Sequence, residues 1–287
     1  MTTPAISVIL PIYNGERFID ETIASIVAQT FADWELIVVN DGSTDNGPSL
    51  IEEWVDRHPD RIRLAAHPDG ANHGLSATRN RGIELASADL VAFIDADDVW
   101  PPEKLAQQLA LFGDHPEIGM VAAAAQYWYS WAGGEDTVVE AGHRRNAVIP
   151  PGEASVYVYP LGQAQAPCPS SLMVRRAVLE DVGGFEAHFT GDRQLYEDQA
   201  FLSKVYLAHP VYFDSRCQLQ YRQHPDSIMA STIRDGKYEA VRKYFLDWFA
   251  SYLKRSQARV PGLWLAVMQA RLRNALTRLR SPRTGRA

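Results

Sequence analysis

The sequence predicts an α/β fold: a mostly parallel sheet with helices on both faces. Three observations carry this. Four short apolar runs rich in β-branched residues, Ile6–Ile12, Trp34–Asn40, Ile62–Ala66 and Leu90–Ile94, read as strands buried on both faces. Segments with helical apolar spacing separate them, which is the alternation of a parallel sheet. Polar clusters follow three of these runs, at Asn14, at Asn40, Asp41 and Asp45, and at Asp95, Asp97 and Asp98. In open α/β sheets ligands bind beyond the carboxyl ends of the strands, so these clusters share one expected site.

Taken in order, Ile6–Ile12 is followed by Asn14, an expected N-cap, and by Phe18, Ile19, Ile23, Ile26 and Val27 at helical spacing. Trp34–Asn40 ends in 41-DGSTDNG-47, a dense turn signal, and Ser49–Arg57 reads as helix. Ile62–Ala66 precedes a helix over His73–Ala86, and Leu90–Ile94 precedes one opened by 101-PPEK-104. Past Phe112 the pattern changes. Ile118–Ala125 is a further strand and runs into 126-QYWYSWAGG-134. Shorter strands are expected at Val156–Tyr159, Ser171–Val174, Val211–Phe213 and Leu219–Tyr221, and helices at Arg176–Asp181 and Glu197–Ala208. From about Lys237 the chain reads as helix, broken at Pro261-Gly262 and resumed over Trp264–Arg280.

A chain of 287 residues, 46% hydrophobic and 22% charged, has the composition of a globular protein with a sizeable core. Its net charge of −7 argues against a nucleic-acid partner. That charge is unevenly spread. No Asp or Glu occurs from Trp248 to Ala287, while nine of the 28 Lys and Arg do, which leaves −16 on the remainder. Two cysteines, Cys168 and Cys217, make no disulfide framework and suit a reducing cytoplasm. The opening MTTPAISVILPIYN lacks the basic leader and long apolar core of a signal peptide, and no apolar run is long enough to span a bilayer.

The chemistry concentrates in 89-DLVAFIDADDVWPPEKL-105, where an apolar strand ends in three carboxylates that repel one another and resist dehydration. Asp95 and Asp97 can hold a divalent cation, Mn2+ or Mg2+, whose shell a nucleotide diphosphate would complete. The competing reading is a helix cap at Asp97 or Asp98 and a solvated Asp95. Asp41, past the second strand, can accept from a nucleobase N–H or ribose hydroxyls, or can simply make an Asx-turn. Arg79 and Arg81 suit phosphate, or a solvated helix face. Glu197 and Asp198 open a helix, where acids favour the dipole, but one of them can equally be a general base. His224 is a surface histidine or a third ligand at the metal or diphosphate.

The order and spacing of these pieces resemble glycosyltransferase family 2. The matching stretches are 7-SVILPIYNGERFIDETIASIVAQTFADWELIVVNDGSTD-45, 78-TRNRGIELASADLVAFIDADDVWPPEKL-105, 183-GGFE-186, 196-YEDQAF-201 and 221-YRQHPDSIMAS-231, covering about residues 5–230. The resemblance implies a GT-A fold: a Rossmann-like sheet in one domain of residues 1–235, with nucleotide-sugar binding over about 1–112 and the acceptor side over about 113–235. Residues 236–287 would form a basic, amphipathic helical extension. It further implies inverting transfer of a sugar from a nucleotide-sugar, often UDP-linked, to a saccharide or lipid-linked acceptor, commonly in bacterial surface polysaccharide or glycoconjugate assembly. Asp41 would then meet the base, and Asp95 the ribose and metal. Asp97 would be the main metal ligand, Asp198 of the Glu197–Asp198 pair the base, and His224 an aid at the metal or diphosphate. Pro11, Tyr13, Asn14 and Ala96 would wall the nucleotide pocket, with Arg79 nearby.

The chain departs from the family at Thr78, where a smaller residue is more usual. It also lacks the Gln-x-x-Arg-Trp motif of processive members, so transfer of one sugar per encounter is expected. A sugar-nucleotide nucleotidyltransferase would need a Gly-rich basic loop where 11-PIYNGERF-18 stands. A dehydrogenase would need GxGxxG after the first strand. A catalytically inactive carbohydrate-binding relative is opposed by the intact Asp95, Asp97 and Asp198. Tyr127, Trp128, Tyr129 and Trp131 fit either a sugar platform or core packing, and Ser170 and Ser171 begin the acceptor-side strand. In the tail, Trp264, Leu265, Val267, Met268, Leu272 and Leu276 form one apolar side, ringed by Arg271, Arg273, Arg278 and Arg280. Two readings stay open there: peripheral contact with the inner face of the membrane, or packing on the domain or on a second copy.

Overall fold

The computed structural model describes residues 3–280, with side chains placed through Arg278. Its first part is β1 (Ile6–Ile12), α1 (Ile19–Val27), β2 (Trp34–Asn40), α2 (Gly47–Arg57), β3 (Ile62–Ala66), α3 (Leu75–Leu85), β4 (Leu90–Phe93) and α4 (Lys104–Asp114). The second part holds β5 (Met120–Trp128), β6 (Thr137–Val139), β7 (Val148–Ile149), α5 (Glu153–Tyr157), β8 (Leu172–Arg175), α6 (Arg176–Asp181), α7 (Glu197–Ala208), β9 (Val211–Arg222), α8 (Ile228–Arg234), α9 (Tyr238–Ser256) and α10 (Leu263–Arg280). Among the described residues these strands form one sheet in the order β3-β2-β1-β4-β8-β5-β9-β7, with β6 added to β5.

The sheet is parallel through its first four strands and mixed as a whole. β1 pairs in parallel with β2, from Ile6 opposite Trp34 to Ile12 opposite Asn40, and with β4, from Ile6 opposite Leu90 to Ile9 opposite Phe93. β8 then joins β4 and β5 antiparallel, while β5 and β9 run parallel. The register brings the carboxyl ends of β1, β2 and β4 to one edge. The side-chain alternation of β1 divides the core. Val8, Leu10 and Ile12 pack with Ile19, Ile23 and Ile26 of α1 on one face. Ile9 packs on the other with Val39, Phe93, Phe185 and Phe201. A third core joins Phe189 and Tyr196 to Phe245, Phe249 and Val267 of the last two helices.

Several expected elements change. Val156–Tyr159 is not a strand: residues 153–157 form α5, which starts after Gly152 at φ 86° and buries Ala154 and Ser155. The two short strands near the end are one, β9. The polar stretch between them is an irregularity where the register with β5 jumps from Asp214 to Cys217 rather than a turn. Asn14 does not cap α1, whose N-cap position is Phe18. It adopts φ 51° instead and accepts from the Thr44 N–H at 2.8 Å, tying the β1 loop to the β2 loop.

Candidate active site

A cleft of about 920 Å3 opens at the carboxyl edge of the sheet. Pro11, Tyr13, Asn14, Asp41, Arg79, Asp95, Ala96, Asp97, Glu197, Asp198 and His224 all line it. These residues lie far apart in sequence and meet because β1, β2, β4 and β9 end nearby while α3 and α7 begin there.

Asp41 is buried at the end of β2. Its Oδ1 accepts the His73 N–H at 2.7 Å and its Oδ2 the Gly74 N–H at 2.9 Å, while its carbonyl accepts from Asn72 Nδ2 at 3.0 Å. The carboxylate therefore fixes loop 72–74. Oδ1 also lies 3.4 Å from His67 Nε2, which leaves Oδ2 the freer oxygen for a ligand. Gly74 sits at φ 85°, a conformation that favours glycine.

Arg79, fully buried in α3, is the cation among the carboxylates. Its Nη2 donates to Asp95 Oδ1 at 2.5 Å and its Nη1 donates to Glu197 Oε1. Burial alone would lower its pKa, but Asp95 and Glu197 raise it above the ordinary value, so it stays charged. One cation facing two carboxylates leaves a deficit. Burial raises the pKa of Asp95 despite Arg79, and pushes that of Glu197 up to about 7. Glu197 Oε2 is buried and, among the described residues, has no hydrogen-bond partner. Arg81, by contrast, pairs with Glu84 at 3.0 Å on the helix surface and does not line the cleft.

The three aspartates have different surroundings. Asp98 is fully buried beneath the turn. Its Oδ2 accepts from Ser170 Oγ at 2.5 Å and its Oδ1 from the Arg222 N–H at 3.0 Å. Burial, then Asp97 and Asp95, hold its carboxyl well above the usual range. Asp97 remains part-exposed and lies 2.9 Å from His224 Nε2. Ser170 also accepts the Asp95 N–H at 3.0 Å, so this residue braces the turn from below.

Asp198 lies across the cleft at the start of α7, half-buried. Its Oδ1 accepts the Gln199 N–H at 2.6 Å and its Oδ2 accepts from Gln199 Nε2 at 3.2 Å. Burial pushes its pKa up to about 6, opposed by Gln199 and by Arg79. With Glu197 committed to Arg79, Asp198 is the better placed of the pair to take a proton from a ligand.

Residues 7–183 match the family described as Glycosyl transferase family 2. The chain belongs to glycosyl transferase family 2. The match ends before Glu197, Asp198 and His224. A relative from Nostoc sp., described as an uncharacterized glycosyltransferase, is 33% identical over 177 residues, 62% of this chain and 52% of the relative. The Escherichia coli UDP-Glc:alpha-D-GlcNAc-diphosphoundecaprenol beta-1,3-glucosyltransferase WfgD is 37% identical over 106 residues, 37% of this chain and 40% of that enzyme. The chain thus spans about half, or less, of the curated relatives it matches. Among solved structures, the mannosyltransferase PcManGT of Pyrobaculum calidifontis, in complex with GDP-Man and Mn2+, aligns with a TM-score of 0.64 and 20% identity. That alignment covers all of this chain and 77% of that one, and supports the GT-A fold.

Arg222 escaped the sequence reading as a site residue. It is buried at the end of β9, donates from Nε to the Asp97 carbonyl at 2.7 Å, and pairs through Nη2 with Glu21 of α1. Its guanidinium lies 4.6 Å from the Phe18 ring centroid, 4.3 Å from that of Trp128 and 5.1 Å from that of Trp131. Much of the aromatic stretch considered as a sugar platform is therefore a box around this cation. Tyr127 packs edge-on against Tyr221 at 5.3 Å, and Tyr129 is the exposed member. An Arg two residues before His224 was the available signal, but its aromatic partners are far off in sequence.

Among the described residues, no three acidic, histidine or cysteine side chains converge to hold a metal by themselves. The Asp97 carboxylate and His224 imidazole, 2.9 Å apart, nevertheless offer an oxygen donor suited to either Mn2+ or Mg2+ and a nitrogen donor that Mn2+ accepts more readily than Mg2+. Such a two-donor set fits an ion that takes its remaining ligands from a bound diphosphate and water.

Proposed function

We propose that this chain is an inverting, metal-dependent glycosyltransferase that moves one sugar from a UDP-sugar to an acceptor hydroxyl in surface polysaccharide or glycoconjugate synthesis. The observation that carries the reading is the placement of Asp97, His224 and Asp198, from three separate elements, on one cleft that Asp41 and Arg79 also line. Asp41 and the wall of Pro11, Tyr13, Asn14 and Ala96 would receive the nucleoside. Asp97 and His224 would hold the divalent cation, with Asp95 beside it, and that ion would neutralise the leaving diphosphate.

Asp198 would accept the acceptor hydroxyl proton as that oxygen bonds to the anomeric carbon and the bond from the sugar to the diphosphate breaks. The hydroxyl acidifies only as this bond forms, so a carboxylate is a sufficient base. One proton-transferring carboxylate is enough, unlike the pair in glycosidases, because the leaving group needs no proton. The name of the Escherichia coli relative supports a UDP-linked donor and a lipid-diphosphate saccharide acceptor. With such an acceptor, the reaction belongs at the cytoplasmic face of the membrane.

Calorimetry with UDP, GDP and TDP, with and without Mn2+, tests the assignment. The expected result is Mn2+-dependent UDP binding, lost in Asp97→Ala and retained in Asp198→Asn, whose transfer activity falls at least ~100-fold. GDP binding in preference to UDP would overturn the donor class. Parallel loss of binding and transfer in Asp198→Asn would remove its role as base.

A further inference from the structure

The last helix has a second apolar face. Leu263, Val267 and Ala270 of α10 are buried in the third core. Val267, expected on the outer apolar side, thus belongs to the inner one. Trp264, Leu265, Met268, Leu272 and Leu276 are 41%, 63%, 59%, 61% and 44% exposed. Residues 265, 268, 272 and 276 recur every three or four positions, so they form one continuous stripe along the helix. Contiguous apolar surface of this kind on a described helix calls for a partner.

The charge beside the stripe identifies that partner. A recess of about 260 Å3 runs between α9 and α10, lined by Lys243, Arg271 and Arg278 against the single acid Asp247. Asp247 pairs with both Lys243 and Arg271, so the recess retains a net positive charge. No Asp or Glu occurs in the sequence from Trp248 onward. A second copy docked stripe to stripe would set these arginines against their like. An anionic surface would neutralise them while the stripe left water. Among the described residues no helix is long and apolar enough to cross a membrane. Apolar stripe, basic flank and too many arginines for a span together describe a helix lying in an interface.

We propose that α10 docks on an anionic lipid surface, its Leu265–Leu276 stripe entering the headgroup boundary and the Lys243–Arg271–Arg278 recess taking a lipid phosphate. This inference is independent of the donor and acceptor assignments above, because its readout is binding to lipid.

The test is co-sedimentation of the full chain with phosphatidylcholine vesicles, with and without phosphatidylglycerol. The expected result is at least ~10-fold tighter binding to the anionic vesicles, weakening with salt. Leu265→Glu with Leu272→Glu should abolish it, and Arg278→Glu should reduce it. All three positions are exposed or at the recess rim, and unchanged thermal unfolding of the variants would show that they fold. The proposal is overturned if the wild type does not bind anionic vesicles, or if the Leu265→Glu, Leu272→Glu variant binds as well as wild type. It is overturned equally if light scattering shows a dimer that this variant dissociates, for a second copy would then cover the stripe.

Discussion

At the residue scale, the cleft is crowded with carboxylates, and the proposed base must stay available among them. Arg79 neutralises part of the charge and binds Glu197 and Asp95 at once. Asp98 is buried and held well above the usual carboxyl range. Asp198 lies between these extremes, raised to about 6 chiefly by burial and restrained by Gln199. If Asp198 is the base proposed above, it must be ionised to act, and turnover is then expected to rise with pH through about 6 and to level off above it. Gln199→Met removes the side-chain donor to Asp198 Oδ2 but keeps the main-chain one. The acid limb of the kcat/KM profile should then move to higher pH, because the ionised form has lost a hydrogen bond. A limb that stays in place in Gln199→Met would mean that another group titrates.

At the element scale, α3 delivers Arg79, and Gly82 sets how closely that helix lies on the sheet. Gly82 is one turn beyond Arg79, so the two share a face. A Cβ at Gly82 would lie 2.4 Å from Ile9 Cγ2, in the fully buried middle of β1. Alanine in a helix gains up to ~1 kcal/mol over glycine, but overpacking a closed core costs ~1–3 kcal/mol. The clash is with a fully buried β-branched side chain with little room to give, so the cost should win. Gly82→Ala should therefore lower the urea midpoint and, by lifting α3 from β1, weaken nucleotide binding. A rise in the midpoint would show that Ile9 repacks. The same scale explains what could be read from the sequence. The first four strands and their helices were legible because each is a buried run of one period bounded by turn residues. The break at 214–217 in β9 looks like a strand end in the sequence, since a register irregularity and a turn draw on the same polar residues. Residues 153–157 carry strand-forming Val and Tyr, and contacts with α7 make them helical. In the site, Asp41, Asp95, Asp97 and Asp198 stood out as acids at element ends. Arg222 did not, and Ser170, expected to begin the acceptor-side strand, instead lies in the turn before β8 beneath the aspartates, because their partners come from other parts of the chain.

At the scale of the whole molecule, the acids with shifted pKa values fall into two groups with opposite effects on stability. Glu35 and Asp247 have lowered pKa values, held down by hydrogen bonds and neighbouring cations despite partial burial. Their stabilisation is present above the unfolded-state carboxyl range and is lost as pH falls through their folded values. The cleft carboxylates act the other way. Asp198 rises from 3.8 to about 6 and Glu197 from 4.5 to about 7, each mainly through burial. A carboxyl that binds its proton more tightly when folded contributes stability below its unfolded pKa and loses it as pH rises toward the folded value. Glu197 and Asp198 should therefore cost the fold on the order of 1–3 kcal/mol between about pH 4 and 7, less for Asp198, which still meets water in the cleft. The expected outcome is a stability maximum on the acidic side of neutrality, with the urea midpoint falling from about pH 5 to 8. Glu197→Gln with Asp198→Asn should flatten that fall, since neither side chain can ionise. If Mn2+ and UDP occupy the cleft as proposed, adding both at pH 8 should raise the midpoint of the wild type and leave that of Asp97→Ala unchanged. A midpoint that climbs from pH 5 to 8 without ligand would mean that the cleft carboxylates are already balanced by Arg79, and that the strain on the fold lies elsewhere.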